Sequence, residues 1–217
     1  MILYHGNQDK NMIPQYGKGN VHNDYGIGFY TTEDIELAKE WSYNNYDPQN
    51  INIDNHWLHT YELDEGGVEI YDLTELDILY WLAQLYKFRL IDGLTELQEE
   101  RKNRFLDKYY KDLTDKDVIL GWRADDSYFK YARDFLSVDI YKETLEEAIM
   151  LGNLGEQFFI QSQNAFNRLK IKDEPVFVEG FYKNKYLNRD KIARNEYEIK
   201  RTNNQYLKNK TTILDII

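Results

Sequence analysis

The chain has 217 residues, no cysteine, 42% apolar and 30% charged side chains, and a formal net charge of −11. That length supports one domain, or two at most, with a core large enough to need neither disulfide nor metal, and without thiols the chain has no cysteine nucleophile, disulfide or thiolate metal centre. The opening Met-Ile-Leu-Tyr-His-Gly lacks the basic and apolar regions of a signal peptide, and no apolar run approaches the ~20 residues of a membrane span, so a cytoplasmic protein with no membrane partner is expected.

The charge is unevenly spread. Before Lys183 there are 18 basic and 34 acidic residues, net −16, and from Lys183 onward 9 basic and 4 acidic, net +5. An acidic body argues against a generally basic nucleic-acid surface. A basic arm most often lies back on such a body, and less often carries a partner-binding surface.

In chain order, Ile2 to His5 reads as a strand that delivers His5 to a turn at Gly6, and residues 7–24 form a polar loop. Tyr25 to Thr32 restores apolar character; Thr31 or Thr32 is expected to cap a helix carrying Ile35, Ala38 and Trp41. Trp57–Leu63 and Val68–Tyr71 read as a hairpin or strand pair across Asp64-Glu-Gly-Gly. Leu73–Leu90 and Thr95–Asp112 are expected as helices, an insertion over about 73–112. Asp117–Trp122 reads as a buried strand, Ser127–Leu136 and Tyr141–Leu151 as helices, the latter ended by Gly152 and Gly155. Gln157–Gln161 is a strand, Ala165–Leu169 a short apolar stretch, and Pro175–Tyr182 a last strand. The expected architecture is one α+β domain over 1–182 with a helical insertion, and a basic arm over 183–217 packing on it.

Three blocks carry candidate chemistry, each where a strand end meets glycine. In Leu3-Tyr4-His5-Gly6 the glycine lets a ligand approach the backbone while the imidazole bonds a hydroxyl. In Tyr25-Gly-Ile-Gly-Phe-Tyr-Thr-Thr, Gly26 and Gly28 precede Phe29 and Tyr30, and with Trp41 they offer a flat aromatic pocket. No ribose-binding carboxylate follows, so this is not a dinucleotide fingerprint. In Leu-Gly-Glu156-Gln157-Phe-Phe-Ile the adjacent Glu156 and Gln157 point to opposite faces of a strand, so one of them faces the cleft. Taken alone, each block is ordinary turn or core chemistry. The cluster Arg123, Asp125 and Asp126 reads as a second-substrate or diphosphate contact, or as a salt-bridged helix start. Arg189, Asp190 and Arg194 read as ion pairs docking the arm, and His22 as pocket rim or solvated. On a strand, His56 and His59 face opposite sides and have no nearby third ligand, so no metal site is expected.

The order of the three blocks resembles the ADP-ribosyltransferase superfamily, in the branch whose signature is His, Tyr and Glu. Within it the chain is similar, over Met1 to about Tyr197, to a bacterial family of unassigned function sharing Leu-Tyr-His-Gly, Gly-x-Gly-Phe-Tyr-Thr-Thr, Gly-Trp-Arg-Ala-Asp-Asp-Ser-Tyr-Phe, Leu-Gly-Glu-Gln and Arg-Asp-x-x-Ala-Arg. The resemblance implies a split β-sheet core that binds NAD as substrate, releases nicotinamide and transfers ADP-ribose to a macromolecular acceptor, protein or nucleic acid. A toxin of a toxin–antitoxin or defence system, with an antitoxin partner, fits this activity. The alternatives are an NAD glycohydrolase and an inactive NAD- or ADP-ribose-binding module.

The resemblance also implies roles. His5 would bond hydroxyls of the adenosine-side ribose, Gly6 would hold the nicotinamide amide through its backbone, and Gly28 belongs to the second cofactor-binding motif. Tyr30 and Trp41, the latter where better-known members carry tyrosine, would sandwich the nicotinamide ring. Glu156, favoured over Gln157 as the cleft-facing residue, would bond the 2′-hydroxyl of the nicotinamide ribose; with Gln157 there, the site lacks a base and a charge and transfer is slowed or lost. In an acidic body, an anionic dinucleotide is expected to be bound mainly by backbone donors, stacking and a few local cations such as Arg123.

Overall fold

The computed structural model describes residues 1–43, 55–124, 128–151, 155–204, 208 and 210–217. It is an α+β chain built on two open sheets. In the first, β1 (Ile2–Asn7) lies antiparallel to β3 (Trp57–Leu63), with His5 opposite His59. The other edge of β3 is taken by β7 (Leu169–Ile171) and β8 (Val176–Phe177). The second sheet runs β2 (Phe29–Thr31), β6 (Glu156–Ile160), β5 (Val118–Trp122), β4 (Ile70–Asp72), with β4 and β5 parallel and the other pairs antiparallel. Tyr4 and Thr32 join the sheets by exchanging both backbone hydrogen bonds, at 2.7 and 3.0 Å.

Alternation along β6 sets which face meets which core. Phe158 and Ile160 pack with Leu3, Phe29, Tyr61 and Val118. Phe159 points the other way, into a larger cluster with Tyr25, Trp81, Phe105, Phe135 and Tyr197. Both faces are covered, which is why this strand reads as a continuous apolar run.

The hairpin expected between Trp57–Leu63 and Val68–Tyr71 is not formed. Both edges of β3 are occupied, so the chain turns at Gly67 (φ +79°) and crosses to the second sheet, where β4 pairs with β5. The cap of α1 (Ile35–Trp41) is also corrected: Asp34 accepts from the N–H groups of Glu36 and Leu37. Thr31 belongs to β2, its hydroxyl donating to the Phe158 carbonyl, and Thr32 is held in the bridge to Tyr4.

The region expected as an insertion holds α2 (Ile78–Phe88), capped by Asp77, and α3 (Glu96–Tyr109), opened by a reciprocal Thr95–Gln98 capping box. Further along come α4 (Tyr128–Leu136), α5 (Lys142–Ile149) and α6 (Gln163–Arg168). Gly155 adopts φ +71°, whereas Gly152 lies outside the described residues.

The expected strand Pro175–Tyr182 shrinks to the two residues of β8, because Phe181 already opens α7 (Phe181–Asn203), which is followed by α8 (Ile213–Ile216). Arg189 grips Glu40 of α1 with two hydrogen bonds, 2.7 and 2.8 Å. Tyr197 donates to Asp134 at 2.7 Å and packs its ring 3.9 Å from that of Tyr131. Ala193, Tyr197 and Ile213 are fully buried, so apolar burial as well as charge seats this segment. Among the described residues no helix is long and apolar enough to cross a membrane.

Candidate functional site

β1 carries the first part of the site. Backbone hydrogen bonds alternate sides along a strand. Met1 accepts from Leu63 N–H on the β3 side, whereas Tyr4 bonds Thr32 on the other. Gly6, two residues beyond Tyr4, therefore turns its N–H and C=O away from β3, beside the cavity it lines, and neither has a hydrogen-bond partner among the described residues. A Cβ on Gly6 would lie 1.9 Å from the Ala38 carbonyl oxygen, so the backbone of α1 also demands glycine here.

His5 Nδ1 lies 2.7 Å from the Tyr30 carbonyl oxygen. A carbonyl only accepts, so Nδ1 carries the proton, and Nε2 is a lone-pair acceptor to which the Asn7 amide donates at 3.3 Å. Burial, against the pull of the Tyr30 carbonyl, lowers the His5 pKa to about 4. The ring is neutral at pH 7.

Tyr30 alternates with Phe29 and Thr31, and its side chain lies on the Phe159 face of the second sheet. Its hydroxyl donates to the Gly26 carbonyl at 2.8 Å and accepts from Tyr25 N–H at 3.1 Å. Gly26 sits at φ +89°, a conformation glycine adopts freely, and that turn brings its carbonyl to Tyr30. Trp41, the last residue of α1, has the Arg123 guanidinium 4.6 Å over its ring centroid, so one aromatic face is already covered. Its indole N–H has no hydrogen-bond partner among the described residues.

Gln157 is buried in the cavity wall and donates through Nε2 to Asp24 Oδ2 at 2.8 Å and to the Trp122 carbonyl at 3.3 Å. Asp24 also accepts from Ala124 N–H at 3.0 Å, and its other oxygen pairs with Arg89 Nε at 3.0 Å. Burial raises the Asp24 pKa, and Arg89 is the strongest of the groups that oppose it.

These groups surround one cavity of about 370 Å³, within the size range of small-molecule sites. It brings together the expected His5, Gly6, Tyr30, Trp41, Arg123 and Gln157 from distant parts of the chain. Gly28 and Glu156 are not part of its wall. Gly28 is small for another reason: a Cβ there would meet the Phe159 ring at 2.3 Å and the Ile160 carbonyl oxygen at 2.6 Å.

The expectation that Glu156 faces the cleft is corrected. Phe159 must face the helical core, which puts Gln157, two residues earlier, on the cavity side and Glu156 on the face of Phe158 and Ile160, where it is exposed. Partial burial and the nearby Asp72 and Glu33 raise its pKa.

The carboxylate of the cavity is Asp24, and Arg89 is its counter-ion; sequence reasoning found neither. Asp24 is the last residue of the polar loop and Arg89 follows the last turn of α2, so only tertiary structure joins them. Asp125 and Asp126 lie outside the described residues. The other histidines are each held by a backbone carbonyl: His56 Nδ1 at 2.7 Å from Ser42, His59 Nε2 at 3.0 Å from Asp9, and the exposed His22 Nδ1 at 3.3 Å from Phe88. Among the described residues, no group of three potential metal ligands occurs.

Neither the curated proteins nor the solved structures contain a match to this chain. A family model covers residues 1–171, well over half of the sequence and all of the cavity wall, and the chain therefore belongs to the family described as "Protein of unknown function (DUF3990)".

Proposed function

We propose that the chain is an NAD-consuming ADP-ribosyltransferase, with its two sheets forming the split core of that superfamily. One observation carries the reading: His5-Gly6, Tyr30 and Trp41 meet around a single cavity in which the Gly6 N–H and C=O have no partner among the described residues. A primary carboxamide donates and accepts at once, so it fits that pair of backbone groups. The neutral His5 Nε2 can accept from a ribose hydroxyl once that hydroxyl displaces the 3.3 Å hydrogen bond from Asn7, Tyr30 supplies an aromatic wall, and Arg89 and Arg123 offset phosphate charge.

In the reaction, the bond between ribose C1′ and the nicotinamide nitrogen breaks, and its electron pair neutralises the pyridinium ring. C1′ becomes oxocarbenium-like until an acceptor lone pair bonds it and the acceptor proton leaves to solvent. Such a step is accelerated by fixed negative charge and dipoles in a water-poor site. The Gln157 carboxamide, held by Asp24, supplies such a dipole.

The cavity-facing amide also favours a second reading, a module that binds NAD or ADP-ribose without turnover. Incubation of the protein with labelled NAD and cell lysate separates these. The proposal expects nicotinamide release with label on a macromolecule. Release with free ADP-ribose alone makes water the acceptor, saturable binding without release supports the binding module, and absence of both removes the NAD reading.

A further inference from the structure

Asp24 is the buried ionisable group of the cavity that no sequence motif marks. It lines the cavity beside Gln157 with both oxygens engaged: one oxygen pairs with Arg89 Nε at 3.0 Å, and the other accepts from Ala124 N–H at 3.0 Å and Gln157 Nε2 at 2.8 Å. A carboxamide can present either end to a ligand, and its choice is set by what holds the other end. Here both partners of Nε2, the Asp24 carboxylate and the Trp122 carbonyl, accept hydrogen bonds and cannot donate them. The two amide protons are therefore committed to the protein. The carbonyl oxygen Oε1 accepts none among the described residues, although Gln157 is 3% exposed and lines the cavity.

We propose that Asp24 is a positioning residue that locks the Gln157 carboxamide with its carbonyl oxygen toward the cavity, making this point of the site an acceptor that selects a ligand hydroxyl. The choice of ligand rests on the NAD reading above, in which the hydroxyl belongs to the nicotinamide-side ribose. The lock itself does not. Replacing Asp24 by asparagine puts a donor beside Gln157, so that the Gln157 amide gains a reason to turn over and face the cavity with N–H groups, which repel a hydroxyl donor.

The test has two arms. In ¹⁵N-labelled wild type, the Gln157 side-chain protons, assigned by their loss in Gln157→Met, are expected to exchange with solvent at least about tenfold more slowly than those of exposed glutamines, as both are hydrogen-bonded. Asp24→Asn is expected to remove that protection. Exchange at the rate of exposed glutamines in the wild type overturns the lock, whether or not any variant folds.

In the second arm, wild type is expected to bind NAD several-fold, up to about tenfold, more tightly than the analogue lacking the 2′-hydroxyl on the nicotinamide-side ribose, the range for one net hydrogen bond. Asp24→Asn and Gln157→Met should reduce that ratio to near one while backbone spectra stay native. Undiminished discrimination in both folded variants overturns the selecting role. Protected amide protons in a wild type that binds no NAD would uphold the lock and remove only the NAD reading.

Discussion

Gly6 meets two demands at once: α1 leaves no room for a Cβ, and its peptide group borders the cavity. Gly6→Ala must push the Ala38 and Ser42 backbone aside, and overpacking of this kind costs ~1–3 kcal/mol. Urea denaturation should show a lower midpoint with an unchanged slope. His5 gives a pH signature. Its ordinary pKa of 6.5 falls to about 4 in the fold, so between those values the unfolded chain binds the extra proton. The stability tied to neutral His5 is complete above about pH 6.5 and is lost as pH falls toward 4, by at most ~3 kcal/mol and less because the ring is partly exposed. Denaturation of wild type and His5→Gln at pH 7 and 4.5 checks this: the variant should lose less stability on acidification. His5, Gly6 and Tyr30 were legible in sequence because each sits in a compact local motif. The Glu156–Gln157 pair was legible only as alternatives, since alternation says that one faces the cavity and only the position of Phe159 says which.

Among the elements, β1, β5 and β6 follow from short apolar runs and α2 from its apolar helical period, whereas α3 is a charged stretch whose start the Thr95–Gln98 capping box fixes. What local pattern omits is competition for edges. Val68–Tyr71 looks like the second strand of a hairpin until β1, β7 and β8 are seen to fill both sides of β3. The α7 helix is illegible for a different reason: its sequence is polar, and its buried apolar residues are widely spaced, Tyr182, Ala193 and Tyr197. Tyr182 and Lys185 tie it to Glu36 of α1 near the surface, and the buried tie is the Arg189–Glu40 pair, in which Glu40 is 3% exposed and Arg189 22%. Arg189→Met leaves a buried carboxylate unpaired, a loss of about 3 kcal/mol, at the low end for buried pairs because the arginine is partly solvated. The double change Glu40→Leu with Arg189→Met should recover most of that stability in the same denaturation assay.

At the scale of the whole molecule, the family match ends at residue 171, with the cavity complete, yet the core continues beyond it. Tyr197 covers Tyr131 and bonds Asp134, Ile213 is fully buried, and Arg189 holds the helix that carries Trp41. A chain cut after residue 171 exposes that apolar surface, strands Glu40 and leaves Asp134 with Lys130 alone; it should lose cooperative unfolding by circular dichroism and scanning calorimetry. The acidic body holds the site, so a dinucleotide bound as proposed would rest on backbone groups, aromatic walls and the local guanidinium groups of Arg89 and Arg123. NAD cleavage in the cavity, as proposed, is checked by following nicotinamide release from NAD with the purified chain by chromatography. On that proposal wild type releases nicotinamide with time, and release falls at least tenfold in Tyr30→Ala assayed under conditions where circular dichroism shows the variant folded. No release from wild type at saturating NAD would contradict it.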